Sequence, residues 1–224
     1  MKNFLFFTLS VLMLSNCGRE YYKTASYENL APQHQLIAVV PVHTITTGRI
    51  PPEVTPEMIE QVEAAESQAF QISLYTEIAK RTGSREGEIY IALQDISETN
   101  SRLKDAGFSP RESWELPPTK LAEILGVDAI VRATVRKTQY LTDLESFGLS
   151  MAQNFLLIFT DGPFWLIPSS KTSDVDASCS ILDGQSGVPV WATNKTVGTN
   201  WNRPHSEIID NISRKMARRF PYRE

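Results

Sequence analysis

The chain has 224 residues, 42% of them hydrophobic and 21% charged, with 13 Pro, 11 Gly and two Cys. That mixture is too apolar for a disordered polymer and long enough for one domain with a real core. Its formal net charge of −4 gives no basic surface for a polyanion, so nucleic acid is not an expected partner.

The first element is Met1–Asn16. Lys2 is its one charge, and Phe4–Leu14 is an apolar run broken only by Thr8 and Ser10. A short positive start and an apolar stretch too short to cross a bilayer describe a secretory signal. The run ends in Leu14-Ser15-Asn16-Cys17, which resembles the bacterial lipobox, with Asn16 where Gly or Ala is commoner. The resemblance implies cleavage before Cys17 and attachment of diacylglycerol and a fatty acyl chain such as palmitate to that residue. Acyl chains contribute about 0.8 kcal/mol per buried CH₂, so several chains anchor a protein durably. No other cofactor is expected. Gly18 follows the cysteine where Asp often retains such proteins at the inner membrane, so the expected location is the outer membrane, facing the periplasm. Residues 17–33, polar and rich in tyrosine (Tyr21, Tyr22, Tyr27), read as a tether. With Cys17 lipidated, Cys179 has no partner for a disulfide, and its alternation with Val175, Ala177 and Ile181 makes it a buried strand thiol.

From residue 34 to 222 a single domain is expected. Leu36–Val42 is a β-branched run that reads as a buried strand, with Pro41 at a bulge or at its end. Thr47–Pro56 reads as a loop, and Thr55-Pro56 opens a long helix to about Arg81 with Met58, Val62, Ala65, Ala69, Ile72 and Ala79 on one stripe. Glu88–Gln94 is a second strand. Ser97–Ala106 is a helix stopped by Gly107, and Thr119–Leu125 a helix stopped by Gly126. Asp128–Arg136 is a third strand. Val175–Leu182 and Val188–Thr196 form a hairpin about Asp183-Gly-Gln-Ser-Gly, and Pro204 opens a final helix with Ile208, Ile212 and Met216 inward. The order predicts an α/β (α+β) fold with one mixed β-sheet of about five strands packed by three or four helices.

Three stretches, Ile37–Pro41, Leu121–Val131 and Ala177–Trp191, together with Arg219-Phe220-Pro221, resemble a broad group of bacterial envelope lipoproteins. The group includes the curli secretion channel subunit and the lipoprotein activators of penicillin-binding proteins. Its fold is similar to the anticodon-binding-like amino-terminal domain of the Tol translocation protein. The resemblance implies an accessory or assembly factor for outer-membrane secretion or cell-wall machinery, or alternatively an oligomeric secretion pore subunit, with an envelope protein or further copies of itself as partner.

Catalytic chemistry finds no support. His34, His43 and His205 are scattered, no HxxxH, CxxC, GxSxG or phosphate loop occurs, and Asp174 and Asp176 share one strand face that a solvated role explains. Neither a catalytic residue nor a metal ligand is assigned. Arg214, Lys215, Arg218 and Arg219 suit a helix C-terminus and offer a candidate partner patch. The segment least like scaffold is an apolar insertion at 139–171. Leu144, Phe147, Met151, Phe155 and Ile158 fall at helical spacing, Phe164-Trp165 follows Gly162-Pro163, and Asp161 is the one charge from Phe147 to Pro168. Phe147, Met151, Phe155, Ile158, Phe164 and Trp165 are the candidate contacts. Three roles stay open: a core helix, a partner contact, or a membrane-contacting element. The curli subunit lines its pore with alternating strands, whereas Phe155–Phe159 shows no alternation.

Overall fold

The structure is a computed structural model that describes residues 21–48, 54–83, 89–139, 173–199 and 205–222. Its centre is one mixed sheet. The hairpin strands β6 (Ser173–Asp183) and β7 (Pro189–Thr199) pair antiparallel, and β6 pairs antiparallel with β5 (Ala129–Gln139) along its whole length, from Ala129 opposite Asp183 to Gln139 opposite Ser173. On the far side of β5 lie β2 (Leu36–Val39) and β3 (His43–Gly48), both parallel to it, and the two-residue β4 (Ala92–Leu93) parallel to β2. The first described strand, β1 (Tyr21–Lys23), is antiparallel to β7 at the other edge. The sheet therefore has seven strands: β1 and β3 are additions to the expected five, while the strand expected over Glu88–Gln94 joins the sheet, among the described residues, only at Ala92–Leu93.

Pro41 explains why β2 and β3 are two strands. Val39 faces Val131 and His43 faces Thr134, so four steps on one side oppose three on the other. The extra residue is a bulge at Val40–Val42, where Pro41 has no N–H to give the ladder. The Pro41 carbonyl accepts a hydrogen bond from Trp114 Nε1 at 3.1 Å. The strand resumes beyond the bulge and runs to Gly48, taking in Thr47 and Gly48, which sequence alone places in a loop.

One sheet face is covered by α2 (Pro56–Ala79) and α6 (His205–Ala217), which bury Ile37, Val39, Val131, Val135, Ile181 and Trp191 with Phe70, Leu74, Ile78 and Ile212. The other face is covered over β2 and β5 by α3 (Ile96–Asp105) and α5 (Pro118–Leu125), around Ala38, Val40, Leu103, Leu121, Leu125 and Ile130. Two single turns, α1 (Tyr27–Leu30) and α4 (Glu112–Glu115), complete the described α-helices, and a 3-10 turn at Ala31–Gln33 follows α1. Beyond β5, Asp176, Ser178, Asn194 and Thr196 are exposed on that second face. Gly126 at φ 64° ends α5 as expected, and Thr55 caps α2 by accepting from the Met58 N–H.

Helix α2 departs from expectation in its rotation. Ile72 is 46% exposed, and Met58, Val62, Ala65, Ala69 and Ala79 are only half-buried. The buried stripe is Glu63, Glu66, Ser67, Phe70, Leu74, Glu77 and Ile78, which includes three carboxylates. Each finds a partner distant in sequence or just past the helix end, where Lys80 and Arg81 meet Glu77, so burial of charge does not oppose this orientation.

Residues 21–33 also depart from expectation. They do not form a free tether: β1 lies on the sheet, Thr24 N donates to the Val190 carbonyl at 3.0 Å, and Tyr27 is buried.

Candidate functional site

Cys17 and the six candidate contacts of the insertion, Phe147, Met151, Phe155, Ile158, Phe164 and Trp165, lie outside the described residues. Their points of attachment do not. Gln139 and Ser173 are a paired position at the end of adjacent strands, so segment 140–172 leaves and re-enters the sheet at one place. Cys17 precedes Tyr21, the first residue of β1, by four positions.

The ion pair Lys137–Glu66 lies close to that place. Lys137 Nζ is 2.6 Å from Glu66 Oε1 and 2.5 Å from Oε2. Both side chains are buried beneath a small cleft between α2 and α6 that is lined by Phe70, Val175, Ile208, Ile209 and Ile212. Sequence reasoning missed this pair, although a signal exists. Val131, Ala133, Val135 and Lys137 share one strand parity, and a lysine on an inward parity requires a buried anion.

A second buried network joins three distant parts of the chain. His34 Nδ1 is 2.6 Å from the Tyr222 hydroxyl, and His34 Nε2 is 3.0 Å from Asp183 Oδ1. Burial raises the Asp183 carboxyl, but hydrogen bonds from the Ser186 hydroxyl, His34 and the Ser186 N–H outweigh it and hold the group below the ordinary range. Asp183 is thus a carboxylate that accepts from Nε2–H, which leaves Nδ1 to accept from the Tyr222 O–H. Burial foremost pushes the Tyr222 phenol up, with added repulsion from Tyr27, Tyr90, Asp183 and Asp128, so the hydroxyl keeps its proton. Tyr222 N in turn donates to Tyr27 Oη at 3.2 Å. The arrangement resembles a proton relay in its residue types, yet every polar atom of it is engaged within the fold. It ties β2's entry, the β6–β7 turn and the carboxyl end together. Asp128 adds to the same corner by accepting from the Gln35 and Leu36 N–H groups at 2.8 and 2.9 Å.

The sheet margins bear on docking. The outward N–H of Thr46 in β3 donates to Glu63 Oε1 at 2.7 Å, and the Thr44 hydroxyl donates to the Glu63 carbonyl at 2.6 Å. A carboxylate placed on an edge strand satisfies the amide that an added strand would use. The opposite margin is occupied by the chain's own β1. There Tyr21 is 37% and Tyr22 53% exposed, Lys23 Nζ lies 3.9 Å from the Tyr27 ring centroid, and the Arg219 guanidinium lies 5.9 Å from that of Tyr21.

The remaining candidates fall as follows. Cys179 is buried with its thiol pushed up to about 12 by desolvation, an inert core thiol in agreement with its strand position. Asp176 is exposed and accepts from Thr196 Oγ1 at 2.7 Å. His43 stacks on Trp114 with ring centroids 4.2 Å apart; burial lowers it below the usual imidazole range, against a smaller opposite pull from Glu63. Of the basic cluster, Arg214 reaches Glu77 on α2 at 3.8 Å, while Arg219 belongs to the β1 margin. Among the described residues no group of three or more His, Cys, Asp or Glu is placed to hold a metal ion, and no helix is long and apolar enough to cross a membrane.

No protein-family model matches the chain, and neither does any curated protein. Solved structures similar to it include lipoprotein GNA1162 from Neisseria meningitidis, at 17% identity over 78% of this chain and 90% of that one, with a TM-score of 0.45. The PelC dodecamer from Paraburkholderia phytofirmans follows at 11% identity, 82% and 85% coverage and a TM-score of 0.40. The C-terminal domain of LpoB from Salmonella enterica has 10% identity, 77% and 96% coverage and a TM-score of 0.40. These are distant likenesses.

Proposed function

We propose that the chain is a lipid-anchored, non-catalytic lipoprotein of the bacterial envelope. Its role is that of an accessory or assembly factor for outer-membrane secretion or cell-wall machinery, held on the periplasmic side of the outer membrane through Cys17. The observation that carries the reading is Leu14-Ser15-Asn16-Cys17 behind the apolar run Phe4–Leu14. The non-catalytic half is supported by the use to which buried ionisable groups are put: Glu66 and Lys137 neutralise one another, Asp183 and Tyr222 clasp His34, and Cys179 is sealed in the core. The partner is an envelope protein or further copies of the chain.

The test is metabolic labelling with radioactive palmitate in cells making the wild-type chain or Cys17→Ala, followed by membrane fractionation. Label on the wild type, its absence on the variant, and release of the variant from the outer-membrane fraction are expected. An unlabelled wild type, or a variant that stays equally membrane-bound, overturns the anchor. Sizing after detergent extraction gives a second readout, since a closed ring of many copies would replace the accessory role with that of a pore subunit.

A further inference from the structure

We infer that the β1 margin of the sheet is a lipid-facing surface that lies against the anionic headgroups of the bilayer in which the anchor is embedded. The inference rests on the lipidation of Cys17 and deepens it from an attachment point to an orientation.

Reach comes first. Three residues lie between Cys17 and Tyr21, and the four steps they make, at about 3.5 Å per extended residue, span at most about 14 Å. A globular chain of this size is about 40 Å across. A leash so much shorter than the body it holds does not let that body turn freely. The surface that meets the lipid is the surface around Tyr21. Had residues 21–33 been a free tether, the leash would have quadrupled and no face would have been selected. The pairing of Tyr21 with Thr193 and of Lys23 with Trp191, and the burial of Tyr27, are what shorten it.

Chemistry agrees with reach. Tyr21 and Tyr22 are large side chains left exposed on an edge strand, and tyrosine, apolar in its ring and polar at its tip, is the residue type enriched at membrane–water boundaries. Lys23 and Arg219 sit on the same margin, Arg219 over the Tyr21 ring. Two tyrosines and two cations thus share this margin of a protein whose overall charge is negative. Each cation held near an anionic leaflet favours attraction about fivefold.

The test uses the full lipidated chain in vesicles of phosphatidylethanolamine and phosphatidylglycerol. Cys179 is buried with a raised thiol and Cys17 carries lipid, so one introduced cysteine takes a nitroxide label selectively. Tyr22→Cys places the label on β1. Ala92→Cys, an exposed position on β4, places it on the opposite margin as reference. Collision with dissolved oxygen, which concentrates in lipid, is compared with collision with a water-soluble nickel chelate. The expected result is a several-fold lower nickel-to-oxygen ratio at position 22 than at 92, rising in a Lys23→Glu/Arg219→Glu background. Equal ratios at the two positions overturn the inference, and so does protection of position 22 from both reagents, because protein rather than lipid would then cover it. Failure of the wild-type chain to stay on vesicles through a high-salt wash is a separate outcome, which removes the anchor and with it this inference.

Discussion

Replacing Lys137 by Met would leave Glu66 alone in an apolar cleft. The two side chains are 7% and 4% exposed, the Nζ lies within 2.6 Å of both carboxylate oxygens, and the walls are Phe70, Val175, Ile208, Ile209 and Ile212. An exposed pair of this kind contributes about 0–1 kcal/mol, because water competes for both charges. A buried one whose cation is removed costs about 3–5 kcal/mol, since the surviving carboxylate has lost its counter-charge and cannot recover its hydration. For a chain of this length about 2–4 °C of melting temperature is lost per kcal/mol, so the expected drop is roughly 6–20 °C. The double variant Glu66→Leu/Lys137→Met keeps the volume and removes both charges. It should return to within about 1–2 kcal/mol of the wild type or exceed it. Urea unfolding followed by circular dichroism measures all four corners of the cycle, with the denaturant slope checked for constancy. A cost below about 1 kcal/mol for Lys137→Met, or a double variant as unstable as the single, would refute the burial argument.

Two further outcomes follow from the hairpin corner and the core. A Cβ on Gly184 would stand 2.7 Å from the Asp128 carbonyl oxygen and 2.7 Å from Ala122 Cβ, neither of which is a flexible side-chain end, so Gly184→Ala should cost about 1–3 kcal/mol in urea midpoint analysis. The raised Cys179 thiol and Tyr222 phenol both favour their neutral forms in the folded state. Their contribution is complete below pH 9, and it is lost as pH climbs through the ordinary thiol and phenol ranges toward the folded values, about 12 for Cys179. Unfolding curves taken from pH 8 upward should fall steeply above the unperturbed thiol value of 9.0. Tyr222→Phe, less stable at neutrality by about 1–3 kcal/mol through loss of the bond to His34, should show a shallower alkaline limb.

The parts of the fold legible in the sequence are those whose signal is local. Thr55-Pro56 announces α2, Gly126 closes α5, Asp183–Gly187 makes the hairpin turn, and Pro41 marks the bulge, each because one residue's backbone preference decides one junction. The rotation of α2 was not legible. Its apolar residues suggest a stripe through Ile72, while the burial of Glu63, Glu66 and Glu77 depends on Thr46, Lys137 and Arg81, the first two of which come near only after the sheet is assembled. Residues 21–33 misled for a related reason. Three residues are too few to show strand periodicity, and β1 exists because β7 offers an unpaired edge. At the candidate surface, the expectation for Cys17 comes from a linear motif, whereas the margin formed by Tyr21, Tyr22, Lys23 and Arg219 joins residues far apart in the sequence.

The direction of β1 adds a constraint on the insertion. Tyr21 faces Thr193 and Lys23 faces Trp191, so the chain enters β1 travelling from the side on which β7 ends at Thr199. Thr199 is paired with Ser173, and Ser173 with Gln139, which places the roots of segment 140–172 at that same end of the sheet. The chain therefore enters β1 from the half of the sheet in which segment 140–172 is rooted, not from the opposite half. A factor built to reach a distant partner would place its contact segment at the pole away from its lipid. On the anchoring proposed above, a segment with a single charge between Phe147 and Pro168 is rooted in the half of the sheet from which the anchored end enters, and that proposal favours contact with the bilayer or with a partner met at its surface. Moving the leash tests this directly: inserting a flexible Gly/Ser stretch between Gly18 and Tyr21 frees the orientation without touching β1 or the insertion. In-cell photocrosslinking from position 165 should then shift from one sharp set of products to several weaker ones. An unchanged product pattern would mean that the insertion finds its contact independently of the anchor.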